Sequence, residues 1–378
     1  MQGRDCLTRN PILMNLRPYQ QAAVEFLQRK NRGFVIAPAG AGKTFIAAAA
    51  LRRGMQSDSP ALFTNQARIV WLANTREQVQ QALDAADKFG VKIEAHCVAA
   101  QPDCTSAHVI IVDEAHHMPA VTWASTIGRC KGIVWGFSAT PWSDPERDLQ
   151  LKDFFKEFYT VPRSEVMATG SITQGAVVAH NLDLPSQFDP EIESSTVAET
   201  ARRCRRYPFI DPSEHERRAR WQATADVVKT NAKRNDKIID LATSEPGSIL
   251  ILVSTVEHGE RLQADIADSV VVHAKIGKKR RTEAIERFRS GALRCMIATS
   301  LADEGLDVPR ASVLILAAGG RSAGKLEQRA GRVMRAHEGK EFGIVHDFVD
   351  AGAALAHAQF LARVRTYQKL GYKISRPL

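Results

Sequence analysis

The chain has 378 residues, 44% of them hydrophobic and 25% charged, a composition of an ordinary globular protein with enough length for two cores. Its 51 lysines and arginines against 42 aspartates and glutamates leave a net charge of +9 and an isoelectric point near 9.3, a balance that favours a polyanionic partner held through salt-sensitive association. Apolar runs such as Phe45–Leu51 and Ser248–Val253 are too short to cross a bilayer and the N-terminus carries no apolar signal core, which argues against a membrane partner and for a cytoplasmic protein.

Taken in chain order, apolar runs at Gly33–Ala37, Ile69–Ala73, His108–Val112 and Gly132–Phe137 alternate with helical patterns at Lys43–Arg53 and Arg76–Phe89. Strand, helix, strand implies a parallel sheet covered by helices. Gly54 and Gly90 follow the two helical runs, where glycine accepts the left-handed conformation that closes a helix. From Pro141 to about Asn235 the pattern changes, with prolines at 141, 145, 162, 185, 190, 208 and 212 and charge runs at Arg202–Arg206 and His215–Arg220. This stretch reads as a connection with one amphipathic helix near Glu214–Asn231. The alternation then restarts: Ser248–Val253, Val256–Ile266, Ser269–His273, Lys279–Arg289 with Gly291 after it, Arg294–Ala298, Val313–Leu316 and Phe342–His346. The expected division is 1–160 as a nucleotide-binding domain, 161–236 as a connecting region and 237–378 as a second α/β domain. Six cysteines, at 6, 97, 104, 130, 204 and 295, include no CxxC pair, so neither a zinc module nor a disulfide framework is expected.

Ala37-Pro-Ala-Gly-Ala-Gly-Lys-Thr44 follows the first strand and opens the first long helix, the context a phosphate-binding loop requires. Gly40, Ala41 and Gly42 let backbone amides turn inward toward phosphates, Lys43 adds a full charge at the β/γ pair, and Thr44 is placed to ligate Mg²⁺. His108-Val-Ile-Ile-Val-Asp-Glu-Ala-His-His117 supplies a buried strand delivering Asp113 and Glu114 at its C-terminal end, where open α/β sheets bind ligands. Asp113 would hold Mg²⁺ and Glu114 would orient the attacking water of an in-line phosphoryl transfer.

With these elements the chain resembles the superfamily 2 helicases. Further blocks carry the resemblance: Ser138-Ala-Thr-Pro141, Ala298-Thr-Ser-Leu-Ala-Asp-Glu-Gly-Leu-Asp-Val-Pro309, and Gln328-Arg-Ala-Gly-Arg-Val-Met-Arg335. Leu16-Arg-Pro-Tyr-Gln20 is similar to the opening block of the branch holding phage recombination-repair and excision-repair helicases. The resemblance implies two tandem RecA-like α/β domains, each a mainly parallel sheet flanked by helices, that use ATP and Mg²⁺. It implies adenine contacts from Arg17 and Gln20, a ribose contact from Asp307, coupling through His116, Ser138 and Thr140, and arginine fingers at Arg332 and Arg335 beside Gln328. The 328, 332 and 335 spacing also puts those three on one helix face. Thr75, Arg76, Ser254 and Thr299 are the implied nucleic-acid contacts, to the backbone rather than to bases. Thr75 reads equally as a helix N-cap, and Arg202–Arg206 and Lys278–Arg281 equally as solvated faces.

The implied activity is an ATP-driven nucleic-acid motor, a DNA helicase or fork-remodelling translocase. DNA is preferred over RNA because the loop departs from the GETGSGKT of the large DEAH RNA helicases and little chain follows Arg335. The motor subunit of a restriction or defence complex, with a protein partner for targeting, and an RNA helicase are the alternatives. A small-molecule P-loop kinase lacks the arginine block, and a non-catalytic clamp would not need Lys43, Asp113 and Glu114.

Overall fold

The computed structural model describes residues 16–56, 67–119, 121–128, 130–142, 145–182, 188–206, 211–299, 308–320 and 322–375. The chain divides into two compact units, Met1–Ile172 and Thr173–Leu378. No helix among the described residues is long and apolar enough to cross a membrane.

The first unit has strands β1 (Arg32–Ile36), β2 (Ile69–Ala73), β3 (Glu94–Cys97), β4 (Val109–Asp113), β5 (Ile133–Ser138) and β6 (Glu157–Thr160). They form a parallel sheet in the order β3-β2-β4-β5-β1-β6. Helices α1 (Pro18–Gln28), α2 (Lys43–Gln56), α3 (Arg76–Lys88), α4 (Val121–Ile127), α5 (Pro145–Phe154) and α6 (Arg163–Ala168) complete it. Continuous apolar runs are what a sheet buried on both faces demands. Along β2 and β4, Ile69, Trp71, Val109 and Ile111 join one core, while Val70, Leu72, Ile110 and Val112 join the other. Gly136 on β5 is fitted to that second layer: an added Cβ would lie 2.8 Å from Phe155, 2.9 Å from Phe34 and 3.1 Å from Ala115. Gly136→Ala is therefore expected to destabilise this unit by about 1–3 kcal/mol, read as a lower thermal midpoint, and an unchanged midpoint would refute the packing.

The second unit holds β7 (Gln174–Asn181), β8 (Ser248–Val253), β9 (Ser269–Val272), β10 (Cys295–Thr299), β11 (Ala311–Leu316), β12 (Phe342–Val349) and β13 (Lys373–Ser375). Its sheet is also parallel, in the order β13-β7-β12-β11-β8-β10-β9. The helices are α7 (Phe188–Arg206), α8 (Pro212–Thr230), α9 (Ala232–Ser244), α10 (Val256–Asp265), α11 (Lys278–Ser290), α12 (Ala323–Val333) and α13 (Ala354–Lys369). Strands β8, β10 and β11 again send alternate residues to two cores.

The stretch expected to be a connection is partitioned instead. Residues through Ile172 lie in the first unit, and β7 pairs along its whole length with β12 inside the second sheet. Its sequence, QGAVVAHN, has too short an apolar run to announce a central strand. Two long helices follow rather than one. Pro190 and Pro212 sit in the first turns of α7 and α8, where proline's missing N–H has no helical partner to lose, so here the prolines begin helices.

Beneath the second sheet lies a buried charge network. Arg363 grips Asp347 with two bonds of 2.8 and 2.9 Å, and the Tyr367 hydroxyl donates to the same carboxylate at 2.9 Å. Arg234, 0% exposed, pairs with Asp350, donates to the Leu316 and Ala317 carbonyls, and stacks over Phe348 at 4.3 Å.

Candidate active site

In the first unit β4, β5 and β1 are neighbours, with Ile36 opposite Ser138 and Asp113 opposite Phe137. Their C-terminal ends therefore deliver Asp113, Ser138 and the loop from Ala37 at one level. The Ala37 N–H donates to the Ser138 carbonyl at 3.0 Å, anchoring the loop to the strand beside it. Gly40 and Gly42 have φ of 88° and 79°, a region that side chains rarely adopt. The Tyr19 hydroxyl and Gln20 Nε2 both donate to the Ala41 carbonyl, at 3.1 and 3.0 Å, so α1 grips the outside of the loop. Lys43 and Thr44 open α2, whose first-turn N–H groups have no helical acceptors and form a natural anion site.

Gln20 is committed at both ends of its amide, because its Oε1 accepts from the Arg17 N–H at 3.1 Å. The Arg17 guanidinium donates to the Ser171 hydroxyl and, at 3.4 Å, to Tyr19. Gln20 thus stands directly against the 37–44 loop, and Arg17 stands behind it through Tyr19. Tyr19 and Ser171 belong to this arrangement and went unremarked in the sequence; Tyr19 lay within the block that named its neighbours, whereas Ser171 is distant in the chain and carried no local signal.

Glu114 turns out of β4 with φ of 49°, an uncommon backbone for a residue with a side chain. Its N–H donates to Asp113 Oδ1 at 3.0 Å. His116 Nδ1 lies 2.9 Å from the Ser138 hydroxyl and 3.4 Å from Glu114 Oε2, and Ser138 Oγ accepts from the Thr140 N–H at 3.1 Å. The coupling residues inferred from sequence, His116, Ser138 and Thr140, thus form one chain leading from Glu114. Burial, and then the neighbouring Glu114, push the Asp113 carboxyl up to about 6. Burial would raise Glu114 as well, but the His116 hydrogen bond and the Lys43 charge overcome it and hold Glu114 down to about 2. Two largely buried acids side by side repel one another when both are charged, and a cation between them relieves that repulsion. Glu114 Oε2 has only that long His116 contact and no closer hydrogen bond among the described residues. Oxygen donors from Asp113 and Thr44, with the Glu114 carboxylate beside them, fit Mg²⁺, which would keep waters and phosphate oxygens as its remaining ligands.

Other site residues occupy strand ends. Thr75 caps α3, accepting from the Gln78 N–H at 3.2 Å, and Arg76 beside it is exposed. In the second unit Ser254 is exposed after β8, while Thr299, opposite Val253 in the sheet, is buried with its hydroxyl unpaired among the described residues. Gln328 and Arg332 lie on α12, Arg332 buried to 8% exposure. The expected common face of 328, 332 and 335 is corrected by the helix end: α12 stops at Val333 with Met334 as its cap, so Arg335 follows the helix. Periodicity cannot see that stop, since no glycine or proline marks it. Asp307 lies outside the described residues.

The family described as "Helicase conserved C-terminal domain" matches residues 233–337, and that described as "Type III restriction enzyme, res subunit" matches residues 13–106. Rad25 of Halobacterium salinarum, whose name is that of a DNA 3'-5' helicase, is 25% identical over 85% of this chain and 52% of its own length. The chain spans about half the length of the curated relatives it matches. Among solved structures, the Hef helicase domain of Pyrococcus furiosus aligns over 92% of this chain and 98% of its own, with a TM-score of 0.55 and 14% identity. The ATP-dependent Type ISP restriction-modification enzyme LlaBIII, bound to DNA, aligns over 96% of this chain and 31% of its own, with a TM-score of 0.64 and 14% identity. At such identity the likeness is one of fold: two parallel-sheet α/β domains flanked by helices.

Proposed function

Because the chain belongs to the superfamily 2 helicases, we propose that it is an ATP-hydrolysing motor that moves on or remodels DNA. One observation carries the reading: a glycine loop with left-handed Gly40 and Gly42 stands level with two largely buried acids, of which Glu114 has an oxygen held only by a long His116 contact. Lys43 and the first-turn amides of α2 would bind the β- and γ-phosphates. Thr44 and Asp113 would hold Mg²⁺, which when bound neutralises developing phosphate charge. Glu114 would polarise the attacking water, and His116 would pass the state of that carboxylate to Ser138 and Thr140, making the DEAH tetrad a coupling element. Arg17 and Gln20 are assigned to the base, Asp307 to the ribose, and Gln328, Arg332 and Arg335 to charge stabilisation during turnover, on the family resemblance. Thr75, Arg76, Ser254 and Thr299 are assigned to strand phosphates.

DNA is favoured over RNA by the DNA 3'-5' helicase name of the Rad25 relative and by the DNA-bound fold neighbour. We expect a cytoplasmic protein with 3'-5' polarity and a role in repair, recombination or replication. A second reading, a motor within a restriction or defence assembly with a nuclease partner, is favoured by the restriction-enzyme family match over 13–106. Steady-state ATPase activity at fixed low salt, alone and with single-stranded, duplex or forked DNA or RNA, tests the proposal. Strong stimulation by DNA and none by RNA is expected. A rate indifferent to every nucleic acid would sink the motor reading for the isolated chain and leave the assembly reading.

A further inference from the structure

The charge runs Arg202–Arg206 and His215–Arg220 have no part in the ATPase machinery. They lie on α7 and α8, which pack as an antiparallel hairpin across which Arg220 reaches Glu193 at 2.6 Å. The hairpin falls outside both family matches, 13–106 and 233–337. Neither family match therefore assigns it a role.

Between the hairpin and α13 runs an open groove of about 1120 Å³. Small-ligand pockets are about 300–1,000 Å³ and enclosed, so this one suits a length of polymer. Its charged lining is Arg202, Arg203, Arg217 and Arg218 against Glu199 and Asp226. Arg202 and Arg203 share the single carboxylate of Glu199, at 2.6 and 2.7 Å, which leaves a positive excess. Their side chains are 75% and 51% exposed, and ion pairs so exposed contribute little and exchange readily for phosphate oxygens.

Trp221 stands where this groove meets a smaller cavity lined by Ser254 and Gly319, at the ends of β8 and β11. That cavity, about 50 Å³, is too small to swallow a base, so only its rim is available. The indole itself is 53% exposed, and among the described residues no ring or cation packs on it. An uncovered aromatic face beside arginines matches unpaired bases and phosphates presented together. A duplex keeps its bases stacked on each other, and an acidic peptide would satisfy the arginines but not the indole.

We propose that the groove between the α7–α8 hairpin and α13 binds single-stranded DNA, with Trp221 stacking on a base and Arg202, Arg203 and Arg217 on phosphates, continuing the strand from Ser254. The assignment rests on the motor reading above and gives it a second DNA surface. The test is anisotropy of labelled oligo(dT) across a salt series, with the full chain and its Trp221→Ala, Trp221→Phe and Arg203→Ala/Arg217→Ala variants, each checked for a wild-type unfolding midpoint. Trp221→Ala is expected to weaken binding about 10-fold and Trp221→Phe to retain most of the affinity while losing part of the fluorescence quenching that oligo(dT) causes. The arginine variant should flatten the salt dependence by about 0.7 in log–log slope for each phosphate it no longer neutralises. If that variant does not fold, the Trp221 pair decides alone.

Wild-type affinity in Trp221→Ala overturns the proposal. So does binding of polyglutamate in place of oligo(dT), which would make the groove a protein-docking surface. DNA stimulation of wild-type ATPase separates the two levels: stimulation with indifferent groove variants removes only this site, whereas a wild type that neither binds DNA nor is stimulated removes the motor reading too.

Discussion

Replacing Lys43 by alanine is expected to lower ATP turnover about 10²–10³-fold, the usual loss when one pre-organised group aimed at developing charge is removed. Lys43 begins α2 and is only partly buried, so its loss should leave the fold intact. Its charge also opposes the burial of Asp113 and Glu114, lowering both carboxyls. Nucleotide affinity should therefore fall along with turnover. Glu114→Gln separates the two effects. The amide keeps the side chain's size but cannot polarise water, so ATP binding should persist while turnover falls by a similar factor. Circular dichroism, nucleotide-binding and phosphate-release measurements on both purified variants check this, and full turnover in either one overturns the catalytic assignment.

The second large effect is on stability. Arg234→Met removes the cation facing Asp350, which is 2% exposed, and opens the guanidinium's bonds to Leu316 and Ala317. Breaking one side of a buried pair costs about 3–5 kcal/mol, most of it from stranding the other charge. Burial already raises the Asp350 carboxyl above its ordinary value, with Arg234 the leading opposing influence. Without Arg234 that carboxyl rises further. A group raised in the folded state favours folding below its unfolded pKa and loses that contribution as pH climbs through the folded value. The gap between wild type and Arg234→Met should thus narrow as pH falls from neutrality. Denaturant unfolding at neutral and mildly acidic pH measures it; a gap that widens on acidification would contradict the pairing.

Sequence alone determined the two α/β units, because the strands of a parallel sheet buried on both faces must be unbroken apolar runs and the helices between them must be periodic. It also marked the glycine loop at 37–44 and Asp113–Glu114 as one candidate site, since both are short contiguous blocks whose spacing along the chain is their spacing in space. Tertiary structure decided what no local pattern encodes. Strand β7 joins the second sheet through pairing with β12, about half the chain away, and its own short apolar run does not reveal that partner. Pro190 and Pro212 begin helices instead of ending them because of where Asp211 and the α7–α8 packing put the first turns. Gln20 reaches across to the Ala41 carbonyl, Glu114 turns on a left-handed backbone, and Arg335 falls past the end of α12. These are matters of orientation, fixed when distant elements pack, and a linear order of residues carries position along the chain without direction in space.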